Sequence, residues 1–147
     1  MMTTMKTFAL LLAALTSSSL FATARAAETS RDLTSAQRVF EMRTYHALPG
    51  RLDALNKRFR DHTCKLFQKH GMELIGFWTP QDEKQGKADT LVYILAYPSR
   101  EAAAASWKAF HNDPDWKKAR DESEKDGKIV AEVESVFLDP TDYSEIK

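Results

Sequence analysis

A single cysteine, Cys64, stands among the 147 residues, so no internal disulfide can form. In an oxidising compartment such a chain must rely on its core, and on a partner copy, rather than on cross-links. An excess of either charge is also lacking: 21 basic residues balance 21 acidic ones and the two kinds are interleaved as on a solvated surface, which offers nothing to a polyanion such as nucleic acid. The one early apolar run, Phe8 to Leu15, is too short to span a bilayer, and no cysteine stands just after it to carry a lipid anchor at the mature N-terminus. The chain has no Gly-rich phosphate loop, nucleophile elbow, paired-histidine ligand set or nucleotide motif. Neither a metal nor a cofactor is therefore expected.

What is present begins with the layout of a secretory signal. Lys6 gives a weakly basic start, the apolar run comes next, and Ala24-Arg25-Ala26 supplies a small-x-small cleavage pattern. Residues 1–26 are expected to be a signal peptide and the remaining 121 residues an exported, periplasmic or secreted protein, with no stable membrane anchor after cleavage. Residues 27–38 are polar and aperiodic, a flexible lead-in to one domain over 39–144.

Within that domain, Val39 to His46 alternates as a strand and ends at Pro49-Gly50. Leu52, Leu55, Phe59, Leu66 and Phe67 fit helical spacing, with Gly71 placed to cap the helix C-terminus. Met72 to Thr79 reads as a second strand. Thr90 to Tyr97 is apolar on both parities, the mark of a strand covered on both faces. Ser99 is placed to cap a second helix with Ala103, Trp107 and Phe110 on its inner stripe, and Asp113-Pro114 breaks and restarts it. Ile129 to Leu138 forms the last strand.

The order β-α-β-β-α-β predicts an α+β, ferredoxin-like antiparallel sheet with both helices on one face. Because the third strand is apolar on both sides, the other face needs a cover, and a homodimer whose sheets close into a barrel supplies it. Placing the last strand beside the first predicts that Glu132 and Glu134 share a face with Glu41 and Arg43. That set would be either a register-setting ion network at the dimer contact or a charged lining of a barrel cavity.

The segments FEMRTYHALPG, KHGMELIGFWT, WKAFHNDPDW and VFLDPTDYS, in this order and spacing, resemble the NIPSNAP family of the dimeric α+β barrel superfamily, over about residues 39 to 144. The resemblance implies a dimeric ferredoxin-like barrel. It implies no particular reaction, since other branches of the superfamily include cofactor-free monooxygenases, isomerases and haem peroxidases. In the monooxygenase-like branches the pocket lies between helices and sheet, so an apolar pocket is implied there by analogy.

The histidines and cysteine of FRDHTCKLFQKHG are the most reactive cluster. Cys64 lies two residues from His62, roughly 200° around the helix, and His62 and His70 are about 12 Å apart along it, so neither a nucleophile pair nor a metal site forms locally. His62 comes three residues after Phe59 and four before Leu66, which places it on the sheet-facing stripe. It is either a hydrogen-bonded core histidine or a pocket histidine that orients or deprotonates a ligand. A histidine is often seen at this position in NIPSNAP-like sequences. His70 is expected to bond the last carbonyls of its helix, and Cys64 to lie half exposed. Tyr45, Trp78, Tyr93 and Trp107 are candidate pocket walls or simple core, and His111-Asn112-Asp113 reads as a helix junction. Three functions remain open: a module binding a small apolar or aromatic molecule near His62, a cofactor-free monooxygenase or isomerase with His62 as base, and a structural or protein-interaction barrel with no ligand.

Overall fold

The computed structural model describes residues 38–147; the expected signal peptide and nearly all of the polar lead-in lie outside the described residues. Strand β1, Val39–Ala47, leads through a turn into helix α1, which is continuous over Leu52–Arg58, Phe59–Thr63 and Cys64–Lys69. Gly71, at φ +77°, ends the helix in the left-handed conformation that favours glycine. Strands β2, Glu73–Trp78, and β3, Thr90–Tyr97, form an antiparallel pair joined by a loop containing one short 3₁₀ turn.

Helix α2, Arg100–Asn112, starts as its sequence dictates: the Ser99 hydroxyl accepts the Ala102 N–H at 3.1 Å. Asp113 is both the end of α2 and the cap of α3, Pro114–Ser123, where its carboxylate accepts the Asp115 N–H at 2.8 Å. Strand β4, Val130–Leu138, closes the sheet beside β1. The four strands run in the order β2-β3-β1-β4, all neighbours antiparallel. This is the ferredoxin-like α+β plan expected from the order of elements, the subunit fold of α+β barrels.

The middle of α1 departs from the ideal helix. Phe59–Thr63 is a π turn, closed by the Cys64 N–H on the Phe59 carbonyl. The wide turn accommodates one extra residue and shifts the phase of the helical turns beyond it. Leu55, Phe59, Thr63, Leu66 and Phe67 are buried, while His62 is exposed. The expectation that His62 faces the sheet assumed an unbroken 3.6-residue period. Thr63 takes that place, and its hydroxyl donates to the Arg58 carbonyl at 3.3 Å, a backbone group for which the widened turn has left room.

The core lies between the helices and the inner face of the sheet. Phe59, Phe67 and Phe110 from the helices meet Tyr93, Leu91 and Leu95 from β3, with aromatic rings packed edge to face or tilted at 4.9 to 6.0 Å. Two polar ties fix the helices around it. Arg58 reaches from α1 to Glu124 at 3.3 Å and to Ser123, with its guanidinium 5.3 Å from the Trp116 ring. Asp113 receives His70 at 2.7 Å and Lys69 at 2.8 Å, joining the end of α1 to the junction of α2 and α3. The His70 side chain is thus bonded to another element, and only its backbone N–H meets carbonyls of its own helix.

The other face of the sheet carries Phe40, Met42, Ile94, Val136 and Trp78. Among the described residues only the C-terminal segment folds over part of it, leaving an open groove of about 320 Å³ lined by Phe40, Ile75, Ile94, Leu138, Pro140 and Ile146. Trp78 is 52% exposed and Val136 48%. At Gly76 an added Cβ would fall 2.5 Å from the Trp78 ring, so the glycine is what lets the indole lie flat across β2 on this face.

Candidate functional site

The register decides which charged residues meet. Glu41 pairs with Leu95 and Phe137, and Arg43 with Tyr93 and Ser135, so both point to the inner, helix-covered face. Glu134 pairs with Thr44 and Glu132 with His46, on the opposite face. The expected network of Glu41, Arg43, Glu132 and Glu134 therefore does not exist as one face: the last strand is offset by one residue from the pairing that would have united them, and a one-residue offset inverts every side chain.

What the structure builds is a saturated carboxylate. Glu41, 1% exposed, accepts four hydrogen bonds, from Arg43 Nη1 at 2.7 Å, Tyr97 Oη at 2.8 Å, Trp107 Nε1 at 2.7 Å and Ser135 Oγ at 2.6 Å. Burial works to raise its pKa, but the bonds from Ser135, Trp107, Tyr97 and Arg43 prevail and hold it below the ordinary glutamate value. The cost falls on the neighbouring phenol. Tyr97 is pushed far up, first by burial and then by donating to this carboxylate. Glu41 is accordingly a fixed anion, unsuited to collecting protons.

Arg43 lies beside it, its guanidinium carbon 4.2 Å from the Trp107 ring centre and 5.8 Å from that of Tyr45. Burial opposes its charge, yet Tyr93, Tyr45 and Glu41 raise its pKa above the ordinary arginine value. Two donors here make no well-formed hydrogen bond among the described residues: Arg43 Nε and the hydroxyl of Tyr93, a residue wholly shielded from solvent whose nearest polar neighbour is the Tyr45 phenol. Burial is the main reason that the Tyr93 phenol is held well above its usual pKa. His111, stacked on Trp107 at 5.4 Å, is shifted down by partial burial and by Arg43, which favours its neutral form.

Cover over this site fades from β3 to β4. Leu91 and Tyr93 on β3 are buried, Tyr45 and Arg43 on β1 are half buried, and Val133 (38% exposed) and Ser135 on β4 are open. The helices thus roof β3 and leave the inner face of β4 and part of β1 less covered, with Tyr45 and Trp107 against Arg43 and His111 stacked on Trp107. Of the aromatic candidates from the sequence, Tyr45, Tyr93 and Trp107 come together here. Trp78 does not, because it lies on the other face, and neither does His62, on the outer side of α1. Tyr97, Ser135 and His111 were not singled out as members of a site by sequence reasoning. The signal for Tyr97 and Ser135 was their parity with Glu41 across the strands. Cys64 is half buried and its thiol pKa is raised by that burial.

The profile of the NIPSNAP family matches residues 40–145, nearly the whole of the described region. The chain belongs to the NIPSNAP family. Solved structures agree in fold. A NIPSNAP family protein of unknown function from Agrobacterium tumefaciens is 22% identical, with a TM-score of 0.65 over 76% of this chain and 96% of that one. A NIPSNAP-like domain protein from Burkholderia xenovorans is 16% identical, with a TM-score of 0.64 over 74% and 90%. Another NIPSNAP domain protein from the same organism is 25% identical, with a TM-score of 0.60 over 72% and 97%. No curated protein matches the chain in sequence. Among the described residues of this NIPSNAP protein, no three His, Cys, Asp or Glu side chains converge as metal ligands.

Proposed function

We propose that this NIPSNAP protein binds a small, largely apolar or aromatic molecule in the cleft over β1 and β4, between the helices and the sheet. The observation that carries this reading is the Tyr93 hydroxyl and Arg43 Nε, two buried donors without a well-formed hydrogen bond at the foot of an aromatic-lined opening. Buried polar groups are almost always satisfied, and two adjacent exceptions in a cleft mark a place where a ligand supplies the missing acceptor. The test is native mass spectrometry of the protein purified gently from its host, beside Val133→Trp, which fills the cleft from an exposed position without touching the Glu41 network. A co-purified molecule lost in Val133→Trp supports the reading. No adduct, or one that the variant retains, overturns it and turns attention to protein partners.

A second reading, a cofactor-free monooxygenase or isomerase, is favoured by His111, whose ring stacks on Trp107 at 5.4 Å and would be placed to take a proton from an aromatic substrate bound there. It requires that His111→Ala abolish turnover of a ligand that the variant still binds. Export is proposed from the signal-like start alone, and a protein of undiminished mass in the cytoplasmic fraction would remove it. A homodimer closing over the open sheet face completes the proposal.

A further inference from the structure

Resting on the proposed cleft, we infer the chemical class of its occupant: a small carboxylate with a flat or apolar body, held by Arg43. The guanidinium gives one N–H to Glu41, through Nη1. Its other edge, Nε with Nη2, makes no hydrogen bond among the described residues, and Nε is buried. That edge is the side-on fork, two parallel donors spaced for the two oxygens of a carboxylate. Directly across the strands, on the same face, stands Tyr93 with its unpaired hydroxyl, a third donor.

The site is thus rich in donors and poor in acceptors. Its own carboxylate is already taken, since Glu41 has four donors of its own. A second cation borders the region: the Arg100 guanidinium lies 3.5 Å from the ring centre of Phe137, the β4 partner of Glu41. Arg51 and Arg58 also bury an unpaired Nε, but Arg51 donates to the Gly127 carbonyl at a loop and Arg58 is enclosed by Glu124 and Trp116. Only at Arg43 does the free edge stand with an unpaired phenol beside an opening lined by Tyr45 and Trp107.

The occupant's anion therefore seats on Arg43 Nε and Nη2 with help from Tyr93, while its body lies against Tyr45 and Val133. The experiment is a titration of the full protein with benzoate, cinnamate and octanoate, each matched with its neutral primary amide, monitored by the Trp107 indole N–H resonance and by calorimetry. The carboxylates should bind about tenfold or more tightly than their amides, the effect of charge-assisted bonds to a buried cation. Arg43→Lys, which keeps the charge and loses the fork, should bring acid and amide to within a few fold, and Tyr93→Phe, which removes only the hydroxyl donor, should weaken the acids alone. Equal binding of acids and amides to the wild type overturns the carboxylate assignment while leaving the cleft in place. No shift at Trp107 with any of the six probes overturns both.

Discussion

At the scale of single residues, Glu41 is the most constrained side chain. Glu41→Gln puts an amide donor among four donors and leaves Arg43 without its counter-ion, and should destabilise the fold by about 2–4 kcal/mol, read from urea unfolding. The acid limb of stability has its origin in the same chemistry. Glu41 and Asp113 both have folded-state pKa values below the ordinary 4.5 and 3.8, Asp113 chiefly through Lys69 and His70. The unfolded chain then binds protons first, so their stabilising contribution is complete above the ordinary values and is lost as pH falls through and below them. Urea midpoints measured from about pH 5 down to pH 2 should drop steeply for the wild type and less steeply for Asp113→Asn, whose curve starts lower. Glu41 and Arg43 were visible in the sequence as a charged pair of one parity. Their partners were not, because alternation gives the faces of a strand but not its offset against a strand far along the chain.

At the scale of elements, the capped helices were readable and the irregular one was not. Ser99 and Asp113-Pro114 carry their structure in local chemistry, a side-chain oxygen reaching the N–H groups of the first turn, and they form where the sequence puts them. The π turn in α1 has no such signature, since Leu52, Leu55, Phe59, Leu66 and Phe67 fit a regular helix nearly as well. The consequence is a clean pair of variants. Thr63→Val removes the bond to the Arg58 carbonyl inside the wide turn and should cost about 1 kcal/mol. His62→Ala changes an exposed residue and should stay within about 0.5 kcal/mol of the wild type, with ligand binding unaltered. Thermal melts of both variants check the assignment of the stripe.

At the scale of the whole molecule, the plan was legible in the order of elements and in the doubly apolar third strand, both of which survive small errors in boundary. β3 is covered on one side by helices, whereas on the other Ile94 and Val92 are only partly shielded and lie among Trp78, Val136 and Leu138. A second sheet placed there would bury this surface. Val136→Glu, on the open face of the edge strand β4 and away from the cleft, should convert a dimer to a monomer in sedimentation while leaving carboxylate binding within a few fold. Arg43→Ala, by contrast, should leave association intact, since Arg43 lies under the helices rather than on the open face.

The indole stretched over Gly76 has a practical use. Trp78 and Trp107 lie on opposite sides of one sheet, the first bare on the open face and the second bonded to a fixed anion under the helices. A neighbouring subunit would shift the emission of Trp78 to the blue, whereas a ligand would quench or polarise Trp107. With Trp116 and one of the other two tryptophans replaced by phenylalanine, the two single-tryptophan versions of the protein would report assembly and occupancy as two separate optical signals, without any added dye.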